Sequence, residues 1–122
     1  MSHVKLVEDI QARWASAYGA GDWRALASLY TPNAQLVGAK PELFEGRAEV
    51  LAYFEVLKPG GRVAFDIPRA FALGARRDVV IAAFRVNFMR DGVNRPTRMT
   101  WTLGCDNDGW LIASHHASPV PG

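Results

Sequence analysis

The sequence predicts an α+β fold in which a helical first half precedes an antiparallel sheet. As far as Leu57, apolar residues recur at the three-and-four spacing of an amphipathic helix. From Arg62 onward they alternate with polar neighbours, as they do in half-buried strands. Asp91-Gly92 and Asp108-Gly109 are hairpin signals, so we expect the later strands to pair with their neighbours along the chain.

Two helices are predicted before the first strand. The first presents an apolar face between Val4 and Tyr18 and ends at the glycine-containing segment 19–21. Asp22 is expected to cap a second, short helix whose apolar side includes Tyr30. A break and a new cap lie between the two apolar faces, which favours two helices rather than one.

A short strand and a third helix complete the predicted first half. Thr31-Pro32-Asn33 is typical of a turn and leads into a strand over residues 34–37. The third helix follows Gly46 and presents an apolar face between Val50 and Leu57. It ends at the segment 58–61, which contains proline and two glycines.

The strands of the second half follow from alternation and from turn residues. Alternation begins near Val63, and residues 78–89 are predicted to form one long strand. Pro96 restricts the start of the next strand, in which Trp101 lies on an apolar side. The final strand is expected over about residues 110–116.

The composition is that of an ordinary globular domain, and it excludes several functions. A chain of 122 residues predicts a single domain over 1–122, and the hydrophobic and charged fractions of 49% and 21% are unremarkable. The net charge of +2, with one basic doublet at 76–77, does not favour nucleic-acid binding. No apolar run is long enough to span a membrane, and the first ten residues lack a signal-peptide core. The single Cys105 forms no internal disulfide, which favours a cytoplasmic location.

Two adjacent histidines close the final strand. Side chains alternate along a regular strand, so Ile112, Ser114 and His116 are expected on one face and His115 on the other. The two histidines therefore cannot both bind one metal ion. No other residues offer a clear ligand spacing, so we expect no metal site and no cofactor.

Three stretches of the sequence carry a resemblance to a known family. "YGAGDWRALASLYTPNAQLV", "EGRAEVLAYF" and "DNDGWLIASHHASPVP" resemble the SnoaL-like branch of the nuclear transport factor 2-like superfamily, over roughly residues 4–121. The resemblance implies a cone, in which a curved antiparallel (mixed) sheet wraps around three N-terminal helices. It also implies a ligand pocket at the open end of the cone. Because this fold supports isomerases, hydratases, cyclases and association modules, it does not by itself define a reaction.

The resemblance implies which residues face the pocket. If the even-numbered face of the last strand lines the cone, His116 is the candidate catalytic proton carrier of a metal-independent acid–base enzyme. The pocket then suits a small apolar or aromatic ligand. The candidate ligand-binding residues are Trp14, Tyr18, Tyr30, Phe54, Trp101, Ser114 and Ser118. His115, on the other face, is expected to meet solvent or a neighbouring subunit.

Ketosteroid isomerases share the implied fold but not their reactive groups. Their proton-shuttling aspartate would fall at about Gly38, and their oxyanion-binding Tyr and Asp near Trp14 and Trp101. A general base needs a basic atom within hydrogen-bond reach, and glycine has no side chain. The sequence therefore predicts no ketosteroid isomerase activity.

Two other relatives define alternative functions. The ending resembles the association domain of calcium/calmodulin-dependent kinase II, which implies a non-catalytic oligomerisation module. "HHASPVP" and the strand Arg98–Trp101 also resemble iota-class carbonic anhydrases, which implies a hydratase. Ala117 stands where that family has serine and Met99 where it has tyrosine, so two positions depart from that pattern.

Apolar residues on both faces of the long strand predict a subunit contact. Val79, Ile81 and Ala83 oppose the apolar set that begins at Val80. Antiparallel sheets with one solvated face usually alternate more cleanly. We therefore expect a homodimer through the convex face of the sheet. Arg85 and Arg98 are expected on that face or at its rim, paired with acidic residues.

Overall fold

The computed structural model describes residues 2–121, in which three helices accompany a seven-stranded sheet. The helices are α1 (His3–Ala20), α2 (Trp23–Ala27) and α3 (Arg47–Glu55). The strands are β1 (Tyr30–Val37), β2 (Phe44–Glu45), β3 (Arg62–Phe65), β4 (Arg69–Leu73), β5 (Val79–Arg90), β6 (Val93–Asp106) and β7 (Gly109–Pro119).

Both ends of α1 are determined by local chemistry. The Ser2 hydroxyl accepts a hydrogen bond from the Lys5 backbone N–H at 3.0 Å and so satisfies one free donor of the first turn. At the other end Gly21 adopts φ 67°, and its N–H returns to the carbonyls of the last turn. Glycine reaches this left-handed conformation without the steric penalty of a side chain. Asp22 then caps α2 through the Ala25 N–H at 3.1 Å, as the sequence predicted.

The sheet is mixed and curved, with the strand order β2-β1-β7-β6-β5-β3. The β1–β7 pair is parallel, whereas the other pairs are antiparallel. β3 pairs with the second half of β5 and β4 pairs with its first half, so two short strands share one edge. The concave face packs on the helices. This arrangement confirms the predicted α+β fold.

Several strand boundaries differ from the prediction. Tyr30 begins β1 instead of extending α2, because α2 stops at Ala27. The predicted turn at residues 31–33 is the irregular part of β1, where the register with β7 shifts between Tyr30 and Gln35. β2 and β4 were not predicted, since a two-residue strand and a short edge strand carry too little alternation to be recognised.

A β-bulge in β7 reverses the predicted faces of the final residues. Leu103 pairs with Ile112, but the next pair is Thr102 with Ser114, so Ala113 has no partner on β6. One extra residue moves every following side chain to the opposite face of the sheet. Ile112 and His115 therefore both face inward, and the placement of Ser114 and His116 on the inner face was wrong.

Candidate functional site

The open end of the cone contains a cavity of about 770 Å³, which is here called the inner cavity. Trp14, Tyr18 and Phe54 line it, as the sequence predicted, and His115 lines it in place of His116. Ser118 lies at its edge. Tyr30 and Trp101 are fully buried and lie behind the lining rather than in it.

Aromatic rings form the apolar wall of the inner cavity. Trp14 and Tyr18 lie one helical turn apart on α1, and their rings stack with centroids 5.2 Å apart. Phe54 and Phe88 approach the Trp14 ring edge-on, at 5.7 and 6.1 Å. Offset stacked and edge-to-face arrangements are the favourable geometries for aromatic pairs, so this wall is well packed. Trp14 is fully buried within this wall, whereas Phe88 is the partly exposed ring of the four.

A chain of hydrogen bonds joins four aromatic side chains at the base of the cavity. The Trp14 Nε1–H donates to the Tyr30 hydroxyl at 2.9 Å. That hydroxyl lies 2.8 Å from Nδ1 of His115, and the Trp101 Nε1–H donates to the same Nδ1 at 3.2 Å. Buried indole N–H and phenol O–H groups need hydrogen-bond partners, and here each of them is paired with another side chain of this network.

The donors determine the tautomer of His115. An indole N–H can only donate, so the contact from Trp101 requires Nδ1 to act as an acceptor. The Tyr30 hydroxyl oxygen accepts from Trp14, so the hydroxyl proton of Tyr30 is free to donate to the same Nδ1 of His115. The imidazole proton therefore lies on Nε2.

Nε2 is the His115 ring nitrogen that the network leaves without a hydrogen bond. It has no hydrogen-bond partner among residues 2–121, and yet it is not a fully buried atom. Within that range, Nη2 of Arg90 is the one fully buried side-chain nitrogen or oxygen that lacks a partner. His115 as a residue lines the inner cavity.

Burial keeps both central groups of the network uncharged at neutral pH. Desolvation, together with a smaller contribution from the neighbouring His116, lowers the pKa of His115 from 6.5 to about 3. Burial also raises the pKa of the Tyr30 hydroxyl, which therefore stays protonated. The site thus presents a neutral donor to the cavity rather than a charge.

Tyr53 closes the position at which the ketosteroid isomerase resemblance would place an aspartate. The Tyr53 hydroxyl accepts a hydrogen bond from the Ala39 N–H at 2.9 Å, and Lys40 lies 6.0 Å from the centre of the ring. A Cβ atom added to Gly38 would overlap the Tyr53 hydroxyl. An aspartate at position 38 therefore requires Tyr53 to move away.

Arg90 connects two segments at the cavity mouth. Its Nη1 donates to the backbone carbonyls of Lys58 and Pro59, the latter at 3.2 Å. A Cβ atom on Gly61 would overlap the guanidinium, so the close approach depends on glycine. Arg90 thereby connects the segment after α3 to the β5–β6 hairpin.

His116 lies on the outer face of the sheet, in a separate groove of about 680 Å³. Arg69, Arg85 and Arg98 line this groove too. No ion pair involves these arginines within the described part of the chain, where Lys5–Asp9 is the one pair present, so the predicted pairing with acids was wrong. Ser114 is half-buried beside Thr102 and lies outside both cavities.

His115, Tyr53 and Arg90 were not predicted as site residues. His115 was recognised as part of the histidine pair but was assigned to the wrong face, because a bulge has no sequence signal that alternation can detect. Tyr53 was assigned only to the apolar face of α3. Nothing in the sequence singled out Arg90 among the other arginines.

Across residues 2–121, no group of three or more His, Cys, Asp or Glu side chains is arranged to hold a metal ion. None of the helices in that range combines the length and apolar character needed to cross a bilayer.

Comparison with known proteins identifies the family. The model of the SnoaL-like domain matches residues 7–121, which is nearly the whole chain. The chain belongs to the SnoaL-like family. None of the curated proteins compared with it gives a match.

Several solved structures share the fold of this chain. A candidate dehydratase of the NTF2-like family from Streptomyces avermitilis superposes with a TM-score of 0.84 at 24% identity, covering 98% of this chain and 96% of that one. A ketosteroid isomerase-like protein from Erwinia carotovora atroseptica gives 0.78 at 17% identity, with coverage of 99% and 98%. An NTF2-like protein from Novosphingobium aromaticivorans gives 0.81 at 18% identity, with coverage of 95% and 80%. At these identities the likeness concerns the fold.

Proposed function

We propose that this SnoaL-like protein binds a small, flat, mostly apolar molecule that carries a hydrogen-bond acceptor such as a carbonyl oxygen. The observation that carries the proposal is the free Nε2–H of His115 at the base of an aromatic cavity. The ligand ring would lie against Phe88 and the exposed edge of Tyr18, in front of the buried Trp14, while its acceptor accepts the His115 N–H. Ligand sites commonly combine an apolar wall with a few placed polar groups in this way.

The charge state of the site favours an uncharged ligand. The pKa of about 3 keeps His115 neutral under ordinary conditions, so no cation is available at the base of the cavity to balance an anion. Burying an unpaired charge is costly, whereas a neutral acceptor replaces water at little cost. The network fixes the imidazole before a ligand arrives, which reduces the entropy lost on binding.

Binding and polarisation of a carbonyl are better supported here than proton abstraction. A neutral imidazole that donates from a fixed position can stabilise charge developing on a carbonyl oxygen. No Asp or Glu side chain adjoins His115 among the described lining residues, where the one acid is Asp91 at the β5–β6 hairpin. We assign His116 no part in this chemistry, because it lies on the opposite face of the sheet.

A matched pair of probes tests the proposal. Methyl naphthyl ketone and ethylnaphthalene have similar shapes, but only the ketone can accept a hydrogen bond. We expect the ketone to bind about fivefold more tightly, since a neutral hydrogen bond contributes about 1 kcal/mol. Fluorescence of Trp14 in the cavity wall reports binding, and nitrogen-15 NMR of the imidazole reports the tautomer and the contact with Nε2–H.

Two outcomes would contradict the proposal. One is equal affinity for the two probes with unchanged His115 resonances. The other is a tautomer with its proton on Nδ1 in the free protein. A His115→Leu variant that stays folded by near-ultraviolet circular dichroism should lose the preference for the ketone, whereas His116→Leu on the outer face should keep it.

We also propose a homodimer through the outer face of the sheet. Phe71 pairs with Ile81 and Leu73 with Val79, so four apolar side chains adjoin one another; they are here called the outer apolar patch. Phe71 and Leu73 are 54% and 48% exposed. An apolar patch of this kind on a sheet face is typical of a subunit contact. If assembly is the main role, the protein is instead an association module.

Sedimentation velocity tests the dimer. We expect the wild type to sediment as a dimer at micromolar concentration and Phe71→Asp to sediment as a monomer. Val56→Asp is the matched control, because Val56 is 65% exposed but follows α3 and lies away from the outer apolar patch. A wild type that is monomeric throughout would exclude this interface.

We propose a cytoplasmic location for the protein, which the single cysteine supports.

A further inference from the structure

We propose that the groove on the outer face of the sheet binds the phosphoryl group of a small molecule. This outer groove is defined by Arg69, Ala83, Arg85, Arg98, Thr100 and His116. Ser118 is the one described residue that lines both this groove and the inner cavity, and the proposal uses none of the residues that carry the ligand proposal above.

Strand pairing brings the basic residues together around a small floor. Arg85 on β5 lies directly opposite Arg98 on β6. Ala83, two residues before Arg85 and therefore on the same face, pairs with Arg69 on β4 and with Thr100 on β6. The short side chain of Ala83 leaves the hollow, and the longer side chains surround it.

Thr100 also pairs with His116 on β7, which places a hydroxyl and an imidazole beside the arginines. Both residues are exposed on the outer face. They can therefore add hydrogen-bond donors to a group that the guanidinium groups attract.

The charges in the outer groove are unbalanced. Arg85 and Arg98 lie directly opposite each other on neighbouring strands. Two like charges in this position repel each other and are unfavourable. Among the described residues 2–121, Asp66 is the one acid that lines the groove, against three arginines, and it forms no ion pair with them. A bound anion would remove the repulsion that the folded chain otherwise carries.

The geometry favours a phosphoryl group over a carboxylate. A guanidinium offers a planar pair of donors that matches two oxygens of either anion. A carboxylate has two oxygens and is satisfied by one such pair, whereas a phosphoryl group has three and can serve two opposed arginines at once. With a net charge of only +2 for the whole chain, the groove suits a small phosphorylated molecule rather than a nucleic-acid backbone.

Titration of the intact protein with phenyl phosphate, followed by amide NMR at physiological ionic strength, tests this site. We expect saturable shifts at Ala83, Thr100 and His116 with no change at the Trp14 indole. Arg98→Gln should weaken binding about tenfold, since it removes a charge-assisted contact. Arg98→Lys should weaken it less but measurably, because it keeps the charge and loses the planar donor pair.

Arg76→Gln is the matched control, since Arg76 is exposed in the β4–β5 connection and does not line the groove. Its affinity for phenyl phosphate should equal that of the wild type. Equal weakening by Arg76→Gln and Arg98→Gln would mean general charge attraction and would overturn the proposal. The proposal would also be overturned by chemical shifts that do not saturate, or by an Arg98→Lys variant with full affinity for phenyl phosphate. It would be overturned too if phenyl phosphate bound only to a dimer in which, by sedimentation, a second copy covers the groove.

Discussion

Mild acid should destabilise this protein through one buried imidazole. The pKa of His115 falls from 6.5 in the unfolded chain to about 3 in the fold, because burial disfavours the charged form. Between these values the unfolded chain binds a proton that the folded chain does not. The free energy of unfolding therefore falls as the pH drops below about 6.5 and stops falling near about 3.

The magnitude follows from the size of the pKa shift. Each pH unit below the pKa of the unfolded chain lowers the free energy of unfolding by about 1.4 kcal/mol. A change from about pH 7 to about pH 5 therefore lowers it by about 2 kcal/mol through His115 alone. That loss is a large fraction of the stability of a typical domain, which is about 5–15 kcal/mol. Urea unfolding curves at the two pH values measure the difference.

A pair of glutamine variants separates His115 from every other titrating group. Glutamine can accept from Tyr30 and Trp101 but does not titrate, so His115→Gln should lose about 2 kcal/mol less than the wild type between the two pH values. His116→Gln leaves the buried imidazole in place and removes only the smaller influence of His116 on its pKa, so it should keep most of the wild-type dependence. If wild type and His115→Gln lose the same stability, the neutral buried imidazole inferred from the network is wrong.

Three further predictions concern the residues around the inner cavity. Tyr30→Phe should lower the free energy of unfolding by about 1–3 kcal/mol, because the buried Trp14 N–H loses its acceptor. Tyr53→Phe should lower it less in the same urea assay, because the Tyr53 hydroxyl accepts from an exposed N–H. Gly38→Ala should lower the free energy of unfolding by about 1–2 kcal/mol, because the added Cβ atom overlaps the Tyr53 hydroxyl. The loss should be smaller when Tyr53 is also replaced by Leu. An equal loss in the Tyr53→Leu background would disprove the steric cause. The protein should not isomerise β,γ-unsaturated ketosteroids above the buffer rate, and a faster rate that disappears on unfolding would show otherwise.

The elements with strong periodicity were predicted, and the weak ones were not. α1 and the long strand β5 repeat their apolar residues over many positions, so their type is evident from the sequence alone. β2 spans only Phe44–Glu45 and owes its existence to pairing with β1. Tyr30 continues an apolar helical pattern, yet it belongs to β1 because its partner is Ile112, eighty-two positions later in the chain.

The candidate site was predicted in composition but not in arrangement. Trp14, Tyr18 and Phe54 reach the inner cavity because helical spacing determines which side chains share a face. The assignment of His116 failed because alternation holds only while the strand is regular. A single unpaired residue, Ala113, exchanged the two histidines between the faces.

By itself, therefore, the sequence determined the fold class, the apolar faces of the helices and the absence of a ketosteroid isomerase aspartate. These features depend on local spacing or on the identity of one residue. Tertiary structure alone decided that His115 meets Tyr30 and Trp101, and that three arginines from separate strands adjoin one another. Such contacts join residues far apart in the chain, and they depend on the register of the strand pairs, which a one-residue shift reverses.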